Sequence, residues 1–421
     1  MYTIIKNAAV FDGVSEKLLE GHAIVLEEGI IRDVVPQDTL SVENARVVDL
    51  EGYTVTPGFI DCHMHMLLEE VQDKETSLSI SSPGGEMLDT AQAAVAYRGV
   101  RSCRRMLAAG FTTVVDGGGS NYIECALKEA IAKGYFEGPD LYIAGKQLTT
   151  NKAHFAGFST EPYGPYGMRK AVRDLMYHSV DHVKLQLSPP IRMVGRNSDA
   201  CDFTEEEIGA AVDEAHNYGV PVHAHLRGPK AIKRFLRCGG DLVVHGTDMD
   251  EEGIEMMLKT GRYLLPTLLS PAPTPSQALL NAKPKAVIDL LARTAERHWD
   301  SARRAYEAGV KMAFSTDAGA LGIEIGTNAL EFANLTAIGM SNVQALRAAT
   351  SEAAKAIGRE GSIGLIKKGY RGNFAVLEGN PLKDIAAARR VVCTFKDGRI
   401  VSDRRQTCHE GGTISCIHFR I

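Results

Sequence analysis

The chain has 421 residues, of which 44% are hydrophobic and 24% charged, with a formal net charge of −5. That length exceeds one ordinary domain and accommodates a barrel of roughly 250 residues beside a smaller domain. With no basic block or acidic tail, nothing points to nucleic acid or a lipid surface, and a small-molecule substrate is expected.

The opening stretch Met1 to Asn7 lacks a charged region followed by an apolar one, and no run approaches the roughly 20 apolar residues that span a bilayer. A cytoplasmic protein without a membrane partner is expected. The eight cysteines form no Cys-x-x-Cys pair, which suits reduced thiols better than a disulfide framework.

Residues 3–56 carry short β-rich runs (Thr3 to Val10, His22 to Leu26, Ile30 to Val35, Arg46 to Asp49, Tyr53 to Thr56) separated by turn residues. The far end has the same texture, with Phe374 to Glu378, Val391 to Lys396 and Arg399 to Val401 divided by Gly379-Asn380-Pro381 and Asp397-Gly398. The two ends are expected to meet in one small β-sandwich, residues 1–56 with 366–421, flanking a central domain at 57–365.

Between them, strand-like runs alternate with helical patterns, the rhythm of a parallel sheet with crossover helices. Eight such strands are expected: Phe59 to Met66, Phe111 to Asp116, Asp140 to Ala144, His182 to Leu187, Val220 to His225, Leu242 to His245, Tyr263 to Thr267 and Val310 to Asp317. Eight strand-helix units favour a closed α/β architecture, the (β/α)8 TIM barrel, over an open sheet. A capping box at Thr204-Glu-Glu-Glu207 opens one of the helices, expected to run to Tyr218.

Pro57 to His65, reading Pro-Gly-Phe-Ile-Asp-Cys-His-Met-His, ends the first of these strands in His-x-His. Residues two apart on a strand share a face, so His63 and His65 point the same way, while Cys62 faces the packing side. Two imidazoles on one rigid face suit a divalent metal, with Zn the usual occupant of nitrogen-rich open sites. The alternative is a pair of polar residues at a strand end. Lys184, His225, His245 and Asp317 also fall in or at the ends of barrel strands, the place where such enzymes gather their chemistry. A lysine inside a barrel is costly to bury charged, so its pKa should fall; a neutral amine can take up CO2 as a carbamate. The bland reading is a lysine paired with a carboxylate at the barrel mouth.

Taken in order, Pro57 to His65, Val183-Lys184, His223-Ala-His225, His245-Gly246 and Ser315-Thr-Asp317-Ala-Gly resemble the amidohydrolase superfamily over nearly the whole chain. The resemblance leans to the branch of imidazolonepropionase-like enzymes, prolidase-type metallo-dipeptidases and amidases. It implies two divalent metal ions, expected to be Zn2+, bridged by N6-carboxylated Lys184. One would be held by His63, His65, Asp317 and the carbamate, the other by the carbamate, His225 and His245. A metal-bridging hydroxide would then hydrolyse an amide C–N bond of a dipeptide or N-acyl amino acid, with Asp317 as base and then acid. His223, one layer deeper than His225, reads as a barrel-core histidine or a partner of the ligands.

The resemblance also implies that His154 contacts the scissile carbonyl oxygen, although Lys152 and Ala153 replace the glycines usual before it, which leaves a surface histidine as the alternative. Arg227 stands where related dipeptidases reach the substrate carboxylate, and a guanidinium forks onto such a group; a solvated arginine on the rim is the alternative. A homo-oligomer is implied too. Gly117 to Ser120 reads as a tight turn near the metals, and the loops 188–203 and 270–285 as lids that set specificity. The tail bearing Cys408, His409, Cys416 and His418 reads as peripheral. Two rivals remain: a mononuclear deaminase of nucleobase-like heterocycles, and a non-catalytic scaffold on the same fold.

Overall fold

The computed structural model describes residues 2–40, 45–68, 92–150, 158–189, 199–271, 285–320 and 322–405. The N-terminal strands are β1 (Tyr2–Lys6), β2 (Ala9–Val10), β3 (His22–Glu27), β4 (Ile30–Pro36), β5 (Arg46–Asp49) and β6 (Tyr53–Pro57). The central strands are β7 (Phe59–Met64), β8 (Phe111–Asp116), β9 (Asp140–Ile143), β10 (Gln147–Leu148), β11 (Ser159–Thr160), β12 (Val183–Gln186), β13 (Val222–Arg227), β14 (Leu242–Thr247) and β15 (Tyr263–Leu265). The C-terminal ones are β16 (Phe374–Glu378), β17 (Val391–Lys396) and β18 (Arg399–Asp403).

Strands from the N-terminal and C-terminal parts of the chain pair with each other. One sheet runs β4-β3-β1-β5, and a second, β18-β17-β16-β6-β2, pairs β6 from the N-terminal part with β16 from the C-terminal part. Ile5, Ile24, Leu26 and Val48 of the first sheet and Val55, Phe374, Val376 and Phe395 of the second share one apolar core. The run expected from Thr3 to Val10 is split into β1 and β2 because Asn7 adopts a left-handed backbone, φ 63°, which a continuous strand does not allow.

The middle of the chain holds two wholly parallel sheets, β7-β8-β9 and β11-β10-β12-β13-β14-β15, with helices in the connections. The helix Glu205–Asn217 starts from the capping box read at Thr204 and Glu207. Strands buried on both sides need apolar residues on both faces, and every residue of β8, β13 and β14 is buried. Phe59, Phe111, Phe314 and Phe332 pack ring on ring with centroids 4.7–5.5 Å apart. Phe59 and Phe111 open β7 and β8, so this cluster fills the strand N-termini and leaves the C-termini to polar side chains.

The stretch expected as an eighth strand is extended but irregular. Leu264 bridges Met312, Cys62 donates to the Phe314 carbonyl at 2.9 Å, and the amides of Thr316 and Asp317 both donate to the single carbonyl of His63. Two donors on one acceptor break the ladder, so no regular strand forms there. These bonds nevertheless tie β15 to residues 311–313 and residues 314–318 to β7. Among the described residues no helix is long and apolar enough to cross a membrane.

Candidate metal centre

Strand alternation on β7 puts Asp61 and His63 on one face, and His65 follows just past the strand end. Asp61 is fully buried and accepts four hydrogen bonds: from the backbone of His63 (3.1 Å) and Thr316 (3.2 Å), from the Thr316 hydroxyl (2.6 Å) and from Asn328 Nδ2 (2.7 Å). It therefore clamps the strand carrying the histidines to the loop carrying Asp317. Asp317 has φ 59°, a conformation an aspartate tolerates better than most residues, and its amide donates to the His63 carbonyl at 2.8 Å. Its Oδ1 lies 3.5 Å from both His63 Nε2 and His65 Nε2, while Oδ2 accepts from Ser270 Oγ at 2.7 Å.

One ligand atom from each of His63, His65 and Asp317 fits within 4.8 Å of the others, and all three residues are buried. Burial, reinforced by the charge of Lys184, pushes His63 down to about 3; burial takes His65 to about 4. Both rings are neutral at neutral pH, as metal ligation requires. Burial alone would raise Asp317, but hydrogen bonds and charge from His63, together with His65 and Ser270, hold it below the usual carboxylate range.

Lys184, on β12, is 1% exposed, with Nζ 3.1 Å from His63 Nε2. Burial brings its ammonium down to about 7, against the opposing pull of Asp317 and Asp116. His225 on β13 and His245 on β14 form the next pair, with Nδ1 of the first 2.9 Å from Nε2 of the second. His245 Nδ1 lies 2.7 Å from Thr267 Oγ1, and its ring is 5.9 Å from that of His63, edge on. The six residues singled out as ligands thus form one continuous buried cluster.

His223 stacks on His182, ring centroids 4.1 Å apart, below the ligand layer on the face shared with His225. Arg227 ends β13 two residues beyond the expected strand end, buried rather than solvated. Its Nη1 donates to Thr247 Oγ1 at 3.2 Å, its Nε has no hydrogen-bond partner, and among the described residues it makes no ion pair. Burial lowers it to about 10, so it remains a cation. Cys62 is buried in an apolar cluster with Ile60, Val244 and Leu265. His154, much of both expected lids and the tail cysteines and histidines lie outside the described residues.

The turn at Gly117 to Ser120 sits against the centre. A Cβ on Gly117 would come within 2.4 Å of His63 Cε1 and 2.9 Å of His65 Cε1. Gly117→Ala should therefore push both rings aside and weaken metal retention by at least tenfold with little change in the melting curve. Metal analysis after dialysis checks this, and full metal content would show that the rings have room to give.

Several contributors went unread in the sequence: Asp61, Thr267, Ser270 and Asn328. Only Asp61 carried a local signal, being two residues before His63 on the same strand face.

Four buried, mostly neutral imidazoles around a lysine and a carboxylate define a site suited to divalent metal. Residues 54–401 match the Amidohydrolase family and residues 1–55 the NagA composite domain. The chain belongs to the amidohydrolase family. It is 25% identical to ochratoxinase of Aspergillus niger, over 94% of this chain and 83% of that protein, and 24% identical to imidazolonepropionase of Salmonella typhi, over 85% and 86%. A crystal structure of a Xaa-Pro dipeptidase with bound methionine in the active site superposes with a TM-score of 0.85 at 29% identity, covering 95% of this chain and 99% of that one. The family and such neighbours imply a (β/α)8 barrel with an extra domain, in the imidazolonepropionase- and prolidase-like branch, and metal-dependent amide hydrolysis as the general chemistry.

Proposed function

We propose that this protein is a dinuclear metallo-hydrolase that cleaves the amide bond of a small molecule bearing a free carboxylate, a dipeptide or N-acyl amino acid. The observation that carries this reading is a buried lysine with a lowered pKa, set among four buried histidines, of which His63, His65 and His245 are held neutral, and an ionised aspartate. In the same reading the two parallel sheets close into one (β/α)8 barrel over residues 57–365, and the chain ends, 1–56 and 366–421, form the β-sandwich beside it. The backbone bonds from β15 through residues 311–318 to β7 support that closure.

The donor set fits two divalent ions of the zinc type. His63, His65, Asp317 and carboxylated Lys184 would hold one, and carboxylated Lys184, His225 and His245 the other. Such ions, when bound, polarise the scissile carbonyl and acidify water. Asp317 is ionised throughout the neutral range, so it can take the proton of the attacking water and return it to the leaving amine. Ser270 and the paired histidines hold that carboxylate in place. Arg227, a buried cation with an unpartnered Nε, receives the carboxylate of the substrate. His154 is proposed to donate to the carbonyl oxygen as charge develops. The bound methionine of the Xaa-Pro dipeptidase structure, itself a free amino acid, supports the expected acid.

Metal-loaded protein should be screened against dipeptides, N-acyl amino acids and the C-terminal amides of both, with amine and ammonia release read in parallel. Acids should exceed their amides by roughly 10- to 100-fold in kcat/KM, the value of a hydrogen bond to a charged group. Arg227→Ala should bring that ratio near one. Ammonia released from heterocycles with no amide cleaved would overturn the reading in favour of a deaminase.

A further inference from the structure

Thr247 and His298 have no part in the chemistry just described, yet they form a buried line behind Arg227. Arg227 Nη1 donates to Thr247 Oγ1 at 3.2 Å, and that oxygen lies 2.9 Å from His298 Nδ1. A guanidinium only donates, so Thr247 must accept from it and has its own proton left for an acceptor. Burial with the nearby Arg227 charge takes the His298 ring down to about 3, so it is neutral, and with its proton on Nε2 its Nδ1 is such an acceptor. In that tautomer the chain runs from Arg227 through Thr247 to His298.

The position of His298 is itself held by its helix, Lys285–Glu307. Trp299 Nε1 donates to the Leu268 carbonyl at 3.1 Å. Ser301 Oγ donates to the Gly246 carbonyl at 2.7 Å and accepts from the Met249 amide at 2.9 Å. Arg304 Nη2 donates to the Met249 carbonyl at 2.8 Å. These bonds register the helix against β14 and the turn after it, so His298 arrives opposite Thr247 without freedom to slide. A long arginine side chain loses rotamer freedom when it engages a ligand, and a guanidinium that is already held loses less of it.

We propose that Thr247 and His298 are positioning residues that keep the Arg227 guanidinium aimed at the substrate carboxylate, and so set the preference for acids over their amides. This rests on the carboxylate reading of Arg227. The twenty free L-amino acids and their amides, as product-like probes, should be titrated calorimetrically into metal-loaded parent and variants. In the parent, the preferred acids bind at least tenfold tighter than their amides. Thr247→Val, which keeps the shape and removes the hydroxyl, and His298→Leu should each weaken acid binding roughly 3- to 10-fold and leave amide binding unchanged. His298→Asn, whose side-chain oxygen can take the place of Nδ1, should recover most of the loss. Thr247→Val carries the test even where His298→Leu folds poorly. If Arg227→Ala keeps the acid preference, the carboxylate reading falls and the chain behind it falls too. If Arg227→Ala erases the preference while Thr247→Val retains it in full, the positioning idea alone is wrong. Acid and amide weakened alike would make the pair merely structural, and the proposal would be overturned.

Discussion

Lys184→Ala should lower kcat/KM by roughly 10³-fold, because several kcal/mol of charge stabilisation depends on the ligand this lysine is proposed to become. At 1% exposure the ammonium has little water to support it, and its pKa lies at about 7 rather than the ordinary 10.5. Protonated amine is lost as the pH rises through 7, so the nucleophilic form gains population on the alkaline side. Its lone pair adds to the carbon of CO2, a C–N bond forms, and one N–H proton leaves to solvent. Parent protein reconstituted from the metal-free state should accordingly regain activity faster with added bicarbonate and above pH 7. In Lys184→Ala the missing oxygens can be supplied by formate or acetate, which should restore part of the turnover. Metal content should fall from near two per chain towards one. A variant that keeps two metals and the parent rate with no added carboxylate would show that Lys184 is an ordinary lysine.

What the sequence disclosed follows physical range. The His-x-His spacing was legible because strand alternation is local, and the fold brings His63 and His65 together with Asp317, with Lys184 beside them. Strand ends were less legible. β13 reaches Arg227 and β14 reaches Thr247, since inward-facing polar residues in a parallel strand look like the end of an apolar run. That error hid the burial of Arg227, which a rim position would have left in water. The stretch from Val310 to Asp317 reads as a strand by composition, but the doubled donors on the His63 carbonyl and the left-handed backbone of Asp317 depend on contacts made after folding. The same holds for Thr267, Ser270, Asn328 and His298, each of which meets its partner from 20 or more positions away or across the sheet. No periodicity records such pairings.

Asp317→Asn should lose roughly 10²- to 10⁴-fold in kcat, the span of general acid–base catalysis, while the fold survives. Asparagine matches the volume and keeps one acceptor oxygen for Ser270, so the hydrogen bond at 2.7 Å can persist. The negative charge 3.5 Å from both His63 and His65 Nε2 is lost, and with it the only basic oxygen among the three residues of that cluster. Ser270→Ala is the milder companion. It removes a donor that favours the ionised carboxylate, so Asp317 should shift upward and the acid limb of the rate profile should move to higher pH. Metal retention supplies the control for both. Burial keeps the rings of His63 and His65 neutral down to about 3 and about 4, so the parent should hold metal across the neutral range and release it as the pH falls towards that region, while Asp317→Asn, with an amide in place of a proposed carboxylate ligand, should need a higher metal concentration to reach the same loading. A full metal complement with a lost rate assigns Asp317 to proton transfer. An Asp317→Asn protein that turns over within tenfold of the parent at neutral pH would remove it from that role and leave the base to be found elsewhere in the site.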